Sequence, residues 1–292
     1  MLHTLSQLHP KAINPAKNAA FRSEQRENAG RISSCTQIIE SIFLRHYEDG
    51  AREIFFDRTE ITEEAERLKI VLPKNIGDLI YTFRYRGALP QSILDLAPAG
   101  EFWIIRPAGN ARYCFALSNR PVILPNQLLA ETKIPDSTPG LIEMYALSDE
   151  QALLAKLRYN RLLDTFTGLT CYSLQNHLRT KVKSVGQVEV DEIYVGLDRK
   201  GSHYVLPVQA KGGNDQINIV QIEQDIAMCA EKFPALQCRP IAGQFMSGDV
   251  IALFEFGLSG VDVAILQEKH YRLVPADQID PEEIKQYQAR PD

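Results

Sequence analysis

Apolar residues recur at helical spacing once the chain passes Ser33, and Ile38, Ile39, Ile42 and Phe43 mark the buried face of a helix expected over 34–48. A short strand, EIFFD at 53–57, follows, and then two helical stretches, TEEAERLKI (62–70) and PKNIGDLIYTFRYRG (73–87). The second opens on Pro73 and closes on Gly87, the usual asymmetry of helix ends. Alternating runs at 101–106 and 112–117, separated by Pro107 to Ala111, predict a hairpin. Farther on, 149–166 and 172–180 have helical period. Residues 187–197 and 203–211 are rich in Val, Ile, Leu and Tyr and flank the turn residues Asp198-Arg199-Lys200-Gly201, so they predict two antiparallel strands. A helix is expected over 217–234, with Ile219, Ile222, Ile226 and Cys229 on one face and Gln221 and Gln224 near its start. Strands at 239–245, 250–256 and 261–268 and a helix at 280–288 complete the chain.

These elements divide the chain into a basic arm (1–32), a first domain (33–120), a proline-marked linker (121–148) and a second domain (149–292), all of α/β (α+β) class. Lys11, Lys17, Arg22, Arg26 and Arg31 face only Glu24 and Glu27 in the arm. Three helices followed by a hairpin resemble a winged helix-turn-helix. That resemblance makes 73–87 the recognition helix, with Ile76, Leu79, Ile80 and Phe83 buried and Lys74, Asn75, Arg84 and Arg86 turned toward DNA.

The hairpin carries the chemistry. Side chains alternate along a strand, so Gln209 and Lys211 share one face, Glu189 and Asp191 fall together, and Glu192 points the other way. An Asp facing a Gln-x-Lys tripeptide resembles the core of the PD-(D/E)xK nucleases, in the QxK form found in Mrr-type restriction nucleases. The resemblance implies a restriction-endonuclease-like mixed sheet flanked by helices over the second half of the chain. It also implies Mg²⁺ held by Asp191, the Gln209 side-chain oxygen and the Ala210 carbonyl, with Lys211 acting on the attacking water. Glu192, Glu189 and Asp164 are open choices for a further acid. Arg179, Lys181 and Lys183 stand where they could neutralise phosphates beside the site.

Composition narrows the alternatives. A net charge of −5 excludes coating of nucleic acid by bulk charge but leaves room for a local basic face. The 5 cysteines have no CxxC spacing and are expected as reduced core residues, and the 6 histidines lack metal-ligand spacing. No apolar run is long enough for a membrane span, and the first residues lack the apolar core of a secretory signal, so a cytoplasmic location with no membrane partner is expected. The expected function is a Mg²⁺-dependent, site-specific DNA endonuclease of restriction type acting as a homodimer. The alternative is a DNA-binding regulator or sensor whose nuclease-like domain is idle and serves dimerisation.

Overall fold

The computed structural model describes residues 34–85, 87–145, 149–212, 215–260 and 262–290. The basic arm expected over 1–32 and Arg86 lie outside the described residues.

Helix α1 (34–46) buries Ile38, Ile39, Ile42 and Phe43 against an antiparallel sheet of β1 (Glu53–Asp57), β2 (Phe102–Pro107) and β3 (Arg112–Ser118), ordered β1-β3-β2. Phe43 meets Trp103 and Phe115 edge-on, with ring centroids 5.1 Å apart in both pairs. Between β1 and β2 run α2 (Arg58–Leu68), α3 (Ile76–Tyr85) and α4 (Gln91–Leu94). Helix α2 starts at Arg58 rather than at 62 because Asp57 and Glu60 form a capping box, in which Glu60 Oε1 accepts from the Asp57 amide at 2.8 Å.

The remainder is organised on an eight-stranded mixed sheet. Its strands are β5 (Glu131–Pro135), β6 (Thr170–Val182), β7 (Gly186–Leu197), β8 (His203–Lys211), β10 (Gln237–Cys238), β11 (Ile241–Phe245), β12 (Val250–Ser259) and β13 (Asp262–Val274). The path runs β5-β13-β12-β11-β8-β7-β6, with β10 beside β8. Helix α5 (Gly140–Tyr145) follows β5, and α9 (Pro281–Gln288) follows β13. Strand β11 lies parallel to β8, and the crossover between them is α8 (Ile219–Lys232). On one face α6 (Asp149–Tyr159) and α7 (Leu162–Thr167) pack Leu153, Leu157, Leu163 and Phe166 on Leu206, Val208, Ala210 and Leu253. The opposite face meets α8 through Val190, Ile193, Val205, Met228 and Cys229. Covered on both sides, Val250 to Phe256 is buried throughout. No helix among the described residues is long and apolar enough to cross a membrane.

Three expectations are corrected. The run 121–148 is no free linker, because β4 (Val122–Ile123) pairs with β9 (Ile217–Asn218) and β5 adds a parallel edge strand to β13. The prolines tolerate this because an edge strand can spare donors, and Pro135 ends one. Residues 172–180 form β6 rather than a helix. Leu174 and Leu178 have helical spacing, but Leu174 is exposed and pairing with β7 decides the conformation. Finally, 149–166 is two helices, broken at Arg161 with φ 49°. Asn160 sits in the break, accepting from the Ser137 amide at 2.6 Å and donating to the Lys156 carbonyl at 3.1 Å.

The N-terminal elements dock on α8 and its cap. Tyr85 Oη donates to Gln224 Oε1 at 2.9 Å, Arg106 forms a two-pronged pair with Glu223 at 2.6 and 2.8 Å, and Asn218 Nδ2 donates to the Arg84 carbonyl at 2.9 Å. Ile104 of β2 joins Ile123, Ile219, Val220 and Phe256 in one apolar cluster.

Candidate active site

The antiparallel ladder between β7 and β8 runs from Leu197↔His203 to Glu192↔Val208 and stops there. Beyond that pair the strands part. Gln209, Ala210 and Lys211 pair with Ala242, Gly243 and Gln244 of β11, whereas β7 back to Gly186 pairs only with β6. A fork between two strands leaves backbone groups that the ladder no longer satisfies, and side chains bridge it. Asp191 Oδ2 accepts from the Ala210 amide at 2.8 Å, and Gln209 Nε2 donates to the Glu189 carbonyl at 3.2 Å.

Gln209 is buried, and its amide nitrogen also reaches both carboxylate oxygens of Asp225 on α8, at 3.0 and 3.2 Å. These acceptors fix the amide orientation, so its oxygen is the atom left for a donor or a cation. Burial of Asp225 pushes its pKa well above the ordinary aspartate value. The negative charge of Asp191 pushes the same way, while the Gln209 hydrogen bond and Lys211 oppose it. Asp191, Lys211 and Asp225 therefore share one electrostatic neighbourhood. Lys211, at the end of β8, is half-buried and in register with Gln244.

The fork thus brings together Asp191, Gln209, Ala210 and Lys211, the group expected from the hairpin. It adds Asp225, which periodicity could have revealed: three residues after Ile222 and four before Cys229, it places a carboxylate on the buried face of α8. Gln224, next to Asp225 in sequence, accepts from Tyr85, and its Nε2 is buried without a partner.

Glu192 is not at the site. It lies on the α6 face, buried, paired with Arg158 and accepting from Tyr194 Oη at 2.6 Å. That hydroxyl is pushed up by burial and by the adjacent carboxylate. Asp164 pairs with Arg161 and accepts from the Cys171 amide at 3.1 Å, so it holds α7 to β6. Glu189 binds Arg179 Nε at 2.6 Å and His177 at 3.2 Å.

Of the expected DNA-facing set on α3, Lys74, Asn75 and Arg84 are among the described residues. Lys74 and Asn75 are both exposed, and Asn75 caps its own helix start, accepting from the Gly77 amide at 3.1 Å and donating to Asp78 at 2.7 Å. Arg84 is half-buried against the rings of Tyr85 and Tyr113, 5.5 and 5.7 Å away, with its Nε buried and without a partner. The C-terminal end of α3 is a docking end, not an open one.

As a cation site the fork offers only hard oxygen donors: the carboxylates of Asp191 and Asp225, the Gln209 amide oxygen and the Ala210 carbonyl. Such a set fits Mg²⁺ retaining several waters, and a buried carboxylate beside a second one is an arrangement that a cation would relieve. Among the described residues, no group of three or more His, Cys, Asp or Glu side chains is placed to hold a metal. Oxygen ligands from Gln209, the backbone and water would have to complete the shell. No protein-family model and no curated protein matches this chain.

Proposed function

We propose that this chain is a Mg²⁺-dependent endonuclease that hydrolyses phosphodiester bonds in double-stranded DNA. The observation that supports it most is the meeting of Asp191 with Gln209-Ala210-Lys211 where β7 and β8 part, beside a second carboxyl group, that of Asp225, from the following helix. The order of elements resembles the PD-(D/E)xK core: helices, three antiparallel strands, a crossover helix, then a strand parallel to the third. In this reading Asp191, the Gln209 oxygen and the Ala210 carbonyl hold the cation, and Asp225 fixes the Gln209 amide. A bound Mg²⁺ would supply charge neutralisation and lower the pKa of water, and Lys211 would orient the attacking water and meet the developing phosphate charge. The N-terminal elements, ordered helix, strand, three helices and a hairpin, resemble a winged helix with β2 and β3 as its wing, and they supply the contacts that choose the site. Two copies are needed to cut both strands, and a two-fold dimer is the simplest closed arrangement.

A second reading is favoured by the neutral amide at 209, which gives a cation less charge compensation than a carboxylate: a DNA-binding regulator or sensor whose fork is idle. Plasmid DNA incubated with the protein in Mg²⁺ or in EDTA separates the two. Fragments that appear only with Mg²⁺, and not with Asp191→Ala, support the nuclease; intact DNA under both conditions rejects it.

A further inference from the structure

Strand β6 is the outermost strand of the sheet. It pairs with β7 along one side and, among the described residues, has no partner strand along the other. From Thr165 to Val188 there is no acidic residue, and the charged side chains of this stretch are Arg179, Lys181 and Lys183, joined by His177 when protonated. Arg179 and Lys181 are two residues apart along the strand and so repeat at about 6.6 Å on one face; His177, with φ 50°, interrupts the regular strand just before them, and its ring meets the same Glu189 as Arg179 does. The other face is accounted for, because Leu178 and Val182 pack into the cluster beneath α8.

Register carries this row to the fork. Lys181 lies opposite Gln187 and Arg179 opposite Glu189, and the pairs Asn176↔Glu192 and Leu178↔Val190 bracket His177 and Asp191. His177 and Arg179 are each 62% exposed while bonded to Glu189, and Lys181 is exposed with no ion pair among the described residues. At the other end of the same strand Tyr172 and Leu174 are 58% and 54% exposed. A row of cations on the strand that pairs with the one carrying Asp191, sharing that strand with an exposed ring, is suited to a polynucleotide strand.

We propose that the open edge of β6 is a DNA-binding surface, on which His177, Arg179, Lys181 and Lys183 hold the backbone and Tyr172 stacks on a base. The choice of DNA as occupant rests on the nuclease reading above; the charge pattern and the exposed ring do not.

The test is binding alone. Labelled DNA oligonucleotides of unrelated sequence are titrated in EDTA by fluorescence anisotropy, between about 50 and 200 mM salt, a range over which phosphate contacts are strongly weakened. Lys181→Gln with Lys183→Gln should reduce affinity about tenfold at the low end and flatten the dependence of log K on log salt by up to about 0.9 for each phosphate no longer neutralised. Tyr172→Ala should weaken single-stranded binding more than duplex binding. Lys269→Gln with Lys285→Gln, exposed on β13 and α9 at the other end of the sheet, should leave the salt slope less affected than the β6 pair does. An unchanged slope in the β6 pair overturns the proposal, as does an absence of binding by the parent at the lowest salt. A β6 pair that binds normally but self-associates would show that the lysines only guard a sheet edge, and tighter binding of RNA would overturn DNA as the occupant. A flattened slope with no Mg²⁺-dependent cleavage by the parent would retain the surface and reject the nuclease.

Discussion

At the scale of single residues, the fork is a place where charge is held at a disadvantage, and the variants that relieve or aggravate this should differ in sign. Asp225 binds a proton more tightly folded than unfolded, because burial disfavours its anion. Its effect is therefore to lower stability as pH rises from the unfolded aspartate pKa toward the higher folded one. In EDTA, Asp225→Asn should gain in Tm over the parent at pH 8 and gain less at pH 5; an equal difference at both values would mean that Asp225 does not titrate in this range. Glu192 presents the opposite case, a buried carboxylate with a cation. Arg158→Met should destabilise in urea unfolding, by less than the about 3–5 kcal/mol of a fully buried pair, because Arg158 is 39% exposed and Tyr194 still donates to Glu192, whereas Glu192→Gln with Arg158→Met should recover much of the loss. Asp191, Gln209 and Lys211 were legible in the sequence because a strand's period is two, and a polar pair two apart in an apolar run needs an explanation. Helical spacing places Asp225 on the buried face of α8 but not at the fork, because its partner, Gln209, is sixteen positions away in sequence, a proximity that only the crossover creates.

At the scale of elements, α8 joins two tasks. Asn218, Glu223 and Gln224 take the contacts from α3 and β2, and Asp225, the next residue, touches Gln209. The contacts with the N-terminal elements therefore end at the residue next to Asp225. Tyr85→Phe removes the one hydrogen bond made by the buried Gln224 amide, whose nitrogen already has no partner, and should cost about 1–3 kcal/mol, the range for a buried polar group left unsatisfied. If the nuclease reading holds, this variant should also lower the cleavage rate at saturating DNA more than it lowers DNA affinity in EDTA; an effect on affinity alone would mean that the docking contact does not reach the fork. The hairpin and α8 were legible from local pattern. β6 was not, since its exposed Leu174 and half-buried Leu178 imitate a helical stripe, and the ladder that makes it a strand lies with β7 rather than within itself.

At the scale of the whole molecule, the sequence suggested two domains and a linker, and the structure joins them. The prolines of 121–148 punctuate short edge strands, β4 closing onto β9 and β5 onto β13, so this stretch is tied into the second half of the chain. Composition alone could not reveal that, because a proline that spares a sheet donor and a proline in a free tether look the same in sequence. Ile104, with the Arg106–Glu223 and Tyr85–Gln224 contacts, then ties the N-terminal core to the same body. Two units that share an apolar cluster and buried polar contacts should unfold together, since neither keeps its surface dry without the other. Calorimetry of the parent should accordingly give one transition whose van't Hoff and calorimetric enthalpies agree. Arg106→Ala combined with Tyr85→Phe should broaden that transition or divide it in two, with tryptophan fluorescence reporting the N-terminal part through Trp103, the only tryptophan in the chain. Two separate transitions in the parent would mean that the contacts on α8 are too weak to couple the units, and with that the route from α3 to Gln209 would lose its physical basis.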